Sequence, residues 1–245
     1  MSDGVLLVHA FPLDARMWEP QLGALADALP VVAPHLPGFG GTEPAGDVMT
    51  MSAAAGRCLD ALDGADVDRA VVCGLSMGGY VAFELWRRAP ERFAGLVLAN
   101  TRAGADSQEG AAGRKALADR LRAEGNGFLV ASPPPLLSAD ASDELWARVR
   151  ELIQGQPADA IAAAALGMAE RPDSTPDLAS ITVPSLVITA RGDTLIPPEA
   201  TTPMADQIPG AELASIDGAG HLSNLEAPGE FDELLARHVE RCLAG

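Results

Sequence analysis

Gly74-Leu75-Ser76-Met77-Gly78 sets a serine between glycines two residues to either side. A hydroxyl is a weak nucleophile until a neighbouring base takes its proton. The spacing G-x-S-x-G helps when a strand ends and a helix begins at the serine. The turn is then tight, only small residues fit at its outer positions, and the hydroxyl stands clear of the sheet. The amide after the serine also falls at a helix N-terminus, where the dipole favours a developing oxyanion. A five-residue match arises readily by chance, so its context matters. Here the apolar run Ala70-Val71-Val72-Cys73 precedes it, and a helical stretch over 80–89, stopped by Pro90, follows it. The chemistry this predicts is acyl transfer through Ser76.

The base for a serine hydroxyl is usually histidine, whose pKa lies near the working pH. His9 closes an apolar run, His35 lies in a loop, and His238 falls within a helical stretch where a surface or packing role fits. His221 follows Gly218-Ala219-Gly220 after an extended segment, and these small residues leave its ring free to reach across a sheet edge. It is the expected base. The orienting acid should lie between them, in the order Ser…Asp/Glu…His. Asp193 does so, in Ala190-Arg191-Gly192-Asp193-Thr194-Leu195-Ile196-Pro197, after the strand expected at 185–189. That is the carboxyl end of a strand, where parallel sheets place their chemistry. An aspartate beside a glycine is also a frequent turn former. The alternative acid position, after the preceding strand, reads Asn100-Thr101-Arg102 and holds no carboxylate.

Residues so far apart in the chain need a rigid scaffold. Unbroken apolar runs at 5–8, 31–33, 70–73 and 93–99 read as buried parallel strands. Residues 15–29, with Met17, Trp18, Leu22, Leu25, Ala26 and Leu29, have a helical period, and 50–63 read as a helix capped by Thr50 or Ser52. The order β-α-β-α-β-α-β predicts an α/β fold with a parallel sheet. The alternation stops at 101–180, where helical stretches at 110–124, 142–154 and 157–170 surround Pro133-Pro134-Pro135. This reads as a helical cap inserted over one end of the sheet. Strands resume at 185–189 and 211–216, and a helix at 227–243 closes the chain. The expected division is a core of 1–100 and 181–245 and a cap of 101–180.

The 245 residues allow a sizeable core. With 34 acidic against 17 basic residues, the net charge is −17. Such a surface repels phosphate backbones and anionic headgroups, which argues against nucleic-acid and membrane partners. Cys58, Cys73 and Cys242 are widely spaced, so neither a disulfide framework nor a zinc site is expected. No apolar run approaches the ~20 residues of a spanning helix, and the N-terminus lacks a basic leader. A soluble, cytoplasmic protein is the expectation, with no metal or organic cofactor needed for the chemistry.

Four blocks of the chain resemble the α/β-hydrolase superfamily, and most of all its small cofactor-free esterases, enol-lactonases and haloperoxidase- or perhydrolase-like members. They are His9-Ala10-Phe11-Pro12-Leu13-Asp14 with Met17-Trp18; Leu36-Pro37-Gly38-Phe39-Gly40; the Ser76 turn through Gly79; and Gly192–Pro197 joined to Gly218–Glu226. The resemblance implies an oxyanion hole made by the backbone amides of Phe11 and Met77, a structural His9 and a cap that shapes the pocket. It also implies an α/β-hydrolase fold, a mostly parallel sheet flanked by helices. Most relatives carry two strands ahead of the one before His9, so either the sheet is shorter here, with about six strands, or those two strands lie outside this chain. Three places depart from the family pattern: Ala10 replaces a glycine, His35 an aspartate, and Gly41-Thr42 a serine-ended turn.

The expected reaction is hydrolysis of carboxylic esters or lactones, with a small-molecule ester or lactone as the partner. The same triad can serve a C–C bond hydrolase or a perhydrolase, and the scaffold can serve a non-catalytic ligand-binding protein. A haloalkane dehalogenase would need a carboxylate in place of Ser76. Trp18, Phe128, Trp146, Met168 and Leu222 are the expected lining of a small, mainly apolar pocket. The plainer reading has the cap residues packing only their own core. Arg102 and Arg171 either hold a substrate carboxylate, as an enol-lactonase would require, or lie on a solvated face.

Overall fold

The structure, a computed structural model, describes residues 2–25 and 29–244. Among them the strands are β1 (Asp3–Val8), β2 (Val31–Val32), β3 (Arg69–Leu75), β4 (Phe93–Ala99), β5 (Ser185–Ala190) and β6 (Glu212–Ile216). Neighbours pair in parallel throughout, in the order β2-β1-β3-β4-β5-β6. The apolar runs are strands because both their faces are covered: every residue of β4 and of β5 is buried. β6 forms an edge, and of its residues only Ile216 is buried.

The chain lays down β1 and β2, then returns across β1 to begin β3 on its other side. Right-handed crossovers put the connections before and after this reversal on opposite faces. Loops leaving the carboxyl ends of β1 and β3 therefore diverge and open a crevice. Phe11 reaches that crevice from β1 and Ser76 from β3.

The helix expected over 15–29 is a 3-10 turn, Ala15–Trp18, followed by α1 (Glu19–Leu25). Asp14 sets this start by accepting from the Arg16 amide at 2.9 Å. The Ala26 position of that expected helix lies outside the described residues. α2 (Met51–Gly64) begins at Thr50 rather than Ser52, because Thr50 Oγ1 accepts from the Ala53 amide at 3.1 Å. α3 (Met77–Arg88) starts directly after Ser76, and its Trp86 meets Phe93 edge-on at 5.3 Å between ring centroids.

Between β4 and β5 the chain forms α4 (Gln108–Glu124), α5 (Gly127–Ala131), α6 (Asp143–Gln154), α7 (Ala158–Ala169) and a 3-10 turn at Thr175–Ser180. Ser107 and Ser142 cap α4 and α6, accepting from the amides of Gly110 at 3.1 Å and Leu145 at 3.2 Å. The small side chains of α7 let α4 lie close along it and bring Gly167 against the Met49 carbonyl, which a Cβ would strike. Gln156, buried between α6 and α7, fastens this segment to the sheet side. Its Nε2 donates to Asp14 at 2.6 Å, and its Oε1 accepts from the Gly40 amide at 3.0 Å. One continuous apolar cluster runs from the strands into these helices.

α8 (Pro198–Thr201) and α9 (Pro203–Gln207) follow β5, and α10 (Ser223–Glu226) and α11 (Pro228–Leu243) follow β6. α11 lies across β4 and β6, with Cys242 directly over Gly95. Among the described residues no helix is long and apolar enough to cross a membrane.

Candidate active site

β3 ends at Leu75 and α3 begins at Met77, so Ser76 alone makes the turn. Its φ of 56° and ψ of −114° are a strained geometry for a residue with a side chain, worth ~1–3 kcal/mol. Close packing enforces it. A Cβ on Gly74 would strike the Gly78 carbonyl, and one on Gly78 would strike the carbonyl of Val8 in β1. The Thr101 hydroxyl adds a clamp by donating to the Ser76 carbonyl at 2.7 Å.

By position Ser76 is the N-cap of α3. A capping serine turns its oxygen toward the helix amides, but Ser76 makes no such bond. Its Oγ lies 2.7 Å from His221 Nε2 instead. The first amides of α3 are thereby left for another oxygen.

His221 Nδ1 lies 2.8 Å from Asp193 Oδ2. A carboxylate only accepts, so Nδ1 carries the proton and Nε2 is left to accept from the Ser76 hydroxyl. That is the state a general base requires. Asp193 Oδ1 accepts from the amides of Leu195 and Ile196, each at 2.9 Å. Its Oδ2 also accepts from Asn100 Nδ2 at 2.9 Å. Asn100 is aimed in turn by the Ser223 hydroxyl, which donates to its Oδ1 at 2.7 Å. The position that offers no acid thus holds the acid in place from a neighbouring strand end. Sequence reasoning saw only a missing carboxylate there. The available signal was that Asn100 and Asp193 both follow strands that would be neighbours.

The loop of the base is fixed as well. Glu226 accepts from the Gly220 amide at 2.6 Å and from the Ser138 hydroxyl at 2.6 Å. A Cβ on Gly220 would strike the backbone near Leu137 and Ser138, so glycine is required before His221.

The remaining histidines lie elsewhere. His9 is fully buried: its Nε2 accepts from the Leu36 amide at 3.1 Å, so its Nδ1 donates to the Ala10 carbonyl at 3.1 Å. Burial pushes its pKa down to about 4, so the ring is neutral at neutral pH. It ties the loop after β1 to the loop after β2. His35 Nδ1 accepts from the Ala15 amide at 3.3 Å. His238 is buried in α11, which makes its role one of packing rather than surface.

A cavity of about 390 Å³ opens at Ser76. Phe11 and Tyr80 flank the serine, Leu117, Leu129 and Met168 come from the helices between β4 and β5, and Ile196 lies beyond Asp193. Met77 is the first residue of α3, so its amide has no partner within the helix. Ala10 is buried and is not among the residues with positive φ, so alanine fits the loop that carries Phe11 without strain.

Of the expected pocket residues, only Met168 lines this cavity. Trp18 is in the core against Phe231, at 5.9 Å between ring centroids. Leu222 is likewise fully buried, and its amide donates to the Leu136 carbonyl at 2.9 Å. Phe128 is covered by the Arg120 guanidinium 3.8 Å from its ring centre and faces an adjoining surface depression. Trp146 packs on α6 with Arg150 5.5 Å from its ring. Tyr80, Arg102, Asp106 and Arg114 line the cavity, and only Arg102 of these was a candidate from the sequence.

Residues 5–234 match the model of the alpha/beta hydrolase family. The chain is 29% identical over 243 residues to 3-oxoadipate enol-lactonase 1 of Acinetobacter baylyi, across 98% of this chain and 89% of that one. It is 31% identical over 240 residues to the pimeloyl-[acyl-carrier protein] methyl ester esterase of Aromatoleum aromaticum, across 91% of this chain and 93% of that one. A thermophilic esterase from Thermogutta terrifontis, solved with malate bound, is similar with a TM-score of 0.92 at 40% identity, over 98% of this chain and 90% of that one. A parallel sheet with its strand-turn-helix serine and a family match over nearly the whole length lead to one conclusion: the chain belongs to the alpha/beta hydrolase family.

Proposed function

We propose that this protein is a serine hydrolase that cleaves carboxylic esters or lactones of small, mainly apolar substrates. The observation that carries the reading is the unbroken line from Ser76 Oγ to His221 Nε2 at 2.7 Å and from His221 Nδ1 to Asp193 at 2.8 Å, opening on a cavity. His221 takes the Ser76 proton as the oxygen attacks the carbonyl carbon. Asp193 keeps the ring in its tautomer and stabilises the imidazolium that forms. The amides of Phe11 and Met77 donate to the oxyanion. His221 then returns the proton to the leaving alcohol and activates the water that releases the acid. Residues 101–180 act as the cap over a core of 1–100 and 181–245, which Leu117, Leu129 and Met168 on the cavity wall support. The names of the enol-lactonase and the methyl ester esterase support esters and lactones as the bonds cleaved.

Hydrolysis of p-nitrophenyl butyrate tests this. Ser76→Ala is expected to lose at least about 10⁴-fold in kcat while its circular dichroism and melting temperature hold. Turnover equal to wild type in that variant contradicts the proposal.

A further inference from the structure

The chain carries a net charge of −17, yet the charged residues on the wall of the Ser76 cavity are two arginines and one aspartate. Asp106, just ahead of α4, has a side chain only 2% exposed. Arg102, Arg114 and Arg171 all reach it, the last at 3.0 Å. Burial pushes the Asp106 carboxyl up, but Arg114 and Arg171 outweigh this and hold it below the usual carboxylate range. One carboxylate cannot balance three guanidiniums, so positive charge remains in a wall that is otherwise largely apolar.

The three arginines differ in what else they touch. Arg171 is not among the residues lining the cavity. Its Nη1 and Nη2 donate to the carbonyls of Met168 and Gly104, each at 2.9 Å, it stacks 3.9 Å from the Tyr80 ring centre, and its buried Nε makes no hydrogen bond among the described residues. Arg114 gives Nε to Asp106, but its Nη1 has only the Met168 sulfur at 3.4 Å. A thioether is a weak acceptor. Arg102 gives Nη2 to Asp106, and its buried Nε makes no hydrogen bond among the described residues. An unbonded buried donor such as Arg102 Nε is costly, while the Arg102 and Arg114 side chains as a whole stay 37% and 23% exposed at the cavity wall. Beside Arg114, Gly113 also lines the cavity, and a Cβ there would meet nothing within 4 Å, so the space is open. A tie between α4 and the loop before it would need Asp106 and a single arginine.

We propose that Arg102 and Arg114, oriented by Asp106, form a carboxylate-binding subsite, so that the preferred substrate is an ester or lactone whose acyl part carries a second, free carboxylate. This rests on the ester-hydrolase reading of Ser76. A planar carboxylate offers two oxygens that match the guanidinium fork, and each arginine keeps donors for it after bonding Asp106. The apolar residues nearer the serine then hold the methylene chain between the two acyl ends.

Monomethyl glutarate and methyl pentanoate have the same chain length and differ in the free carboxylate, so their hydrolysis by the wild type, followed in a pH-stat, isolates the subsite. The kcat/KM ratio is expected to favour monomethyl glutarate by at least about tenfold, and to fall about tenfold in Arg114→Gln and in Arg102→Gln. A wild-type ratio at or below unity, or one that survives in both variants, overturns the subsite. Calorimetric titration of monomethyl glutarate and methyl pentanoate into Ser76→Ala reads binding apart from chemistry, with monomethyl glutarate expected to bind at least about tenfold more tightly. Equal affinities overturn the proposal. Undiminished hydrolysis of methyl pentanoate by Ser76→Ala strikes instead at the serine-hydrolase reading, so the two failures are told apart.

Discussion

On the sheet side of the cavity, Asp193 accepts hydrogen bonds from His221, Asn100, Leu195 and Ile196. On the helical side, a single carboxylate, Asp106, faces Arg102, Arg114 and Arg171. The first wall is saturated: the acid, its orienting amide and the base each find partners within the protein. The second holds more donors than the protein has acceptors for. A saturated wall keeps one geometry whatever occupies the cavity, as a nucleophile and base require. An unsaturated wall completes itself only with the right occupant. On the function and subsite proposed above, bond cleavage and substrate choice rest on different elements, the first on strand ends and the second on the helices between β4 and β5.

The sheet side should break most severely at Asp193. Asp193→Asn leaves the shape but removes the acceptor that sets the His221 tautomer, and kcat is expected to fall about 10⁴-fold. The ratio of monomethyl glutarate to methyl pentanoate turnover should survive in the residual activity, since the arginines are untouched. A loss below tenfold in kcat goes against the assigned role.

His9 anchors the same wall and gives a stability signal. Its native pKa of about 4 lies below its ordinary 6.5 because of burial. Between those values the unfolded chain binds a proton that native His9 refuses. Stability from this group is therefore complete above pH 6.5 and declines as the pH falls toward 4, by roughly 3 kcal/mol. Urea midpoints across this range should show the decline in the wild type and lack that component in His9→Gln. Identical slopes in both proteins would rule out His9 as the source.

A smaller effect is expected at Asn100. Asn100→Ala deletes one donor to Asp193 and strands the Ser223 hydroxyl. Loss of a hydrogen bond to a charged group predicts a kcat about 10- to 100-fold lower, with KM little changed. A rise in KM alone would instead make Asn100 a pocket residue. The smallest effect belongs to Phe128→Ala, which faces away from the Ser76 cavity. Its kcat/KM should stay within about threefold of wild type, and a larger loss would extend the helical wall to the adjoining depression.

The sheet side was far more legible in the sequence than the helical side. Ser76 and Asp193 each follow a run rich in apolar residues, Ser76 has a glycine two residues to either side, and Asp193 and His221 directly follow one, so strand end and turn are written locally. The run 93–99 coincides with β4 for the same reason. Asn100 was not legible, because its role depends on β4 and β5 lying side by side. On the helical side, period alone tells which residues share a face, not what that face meets. Leu222 directly follows His221, and Trp18 belongs to the block that follows Phe11, but both point into the core. Phe128 is covered by Arg120 of α4 and Trp146 by Arg150 of its own helix α6, and neither lines the cavity. Arg114 reads as one more basic residue on a polar helix. Only the approach of α4 to Asp106 and α7 places it for the role proposed above.

The central claim is that Ser76 is the nucleophile and that His221 activates it. A fluorophosphonate probe reacts covalently with an activated serine, and intact-mass analysis with peptide mapping locates the adduct. The account predicts one adduct, on Ser76, that is absent in Ser76→Ala and much slower to form in His221→Ala. An adduct on another residue, or full labelling of Ser76→Ala, would contradict it.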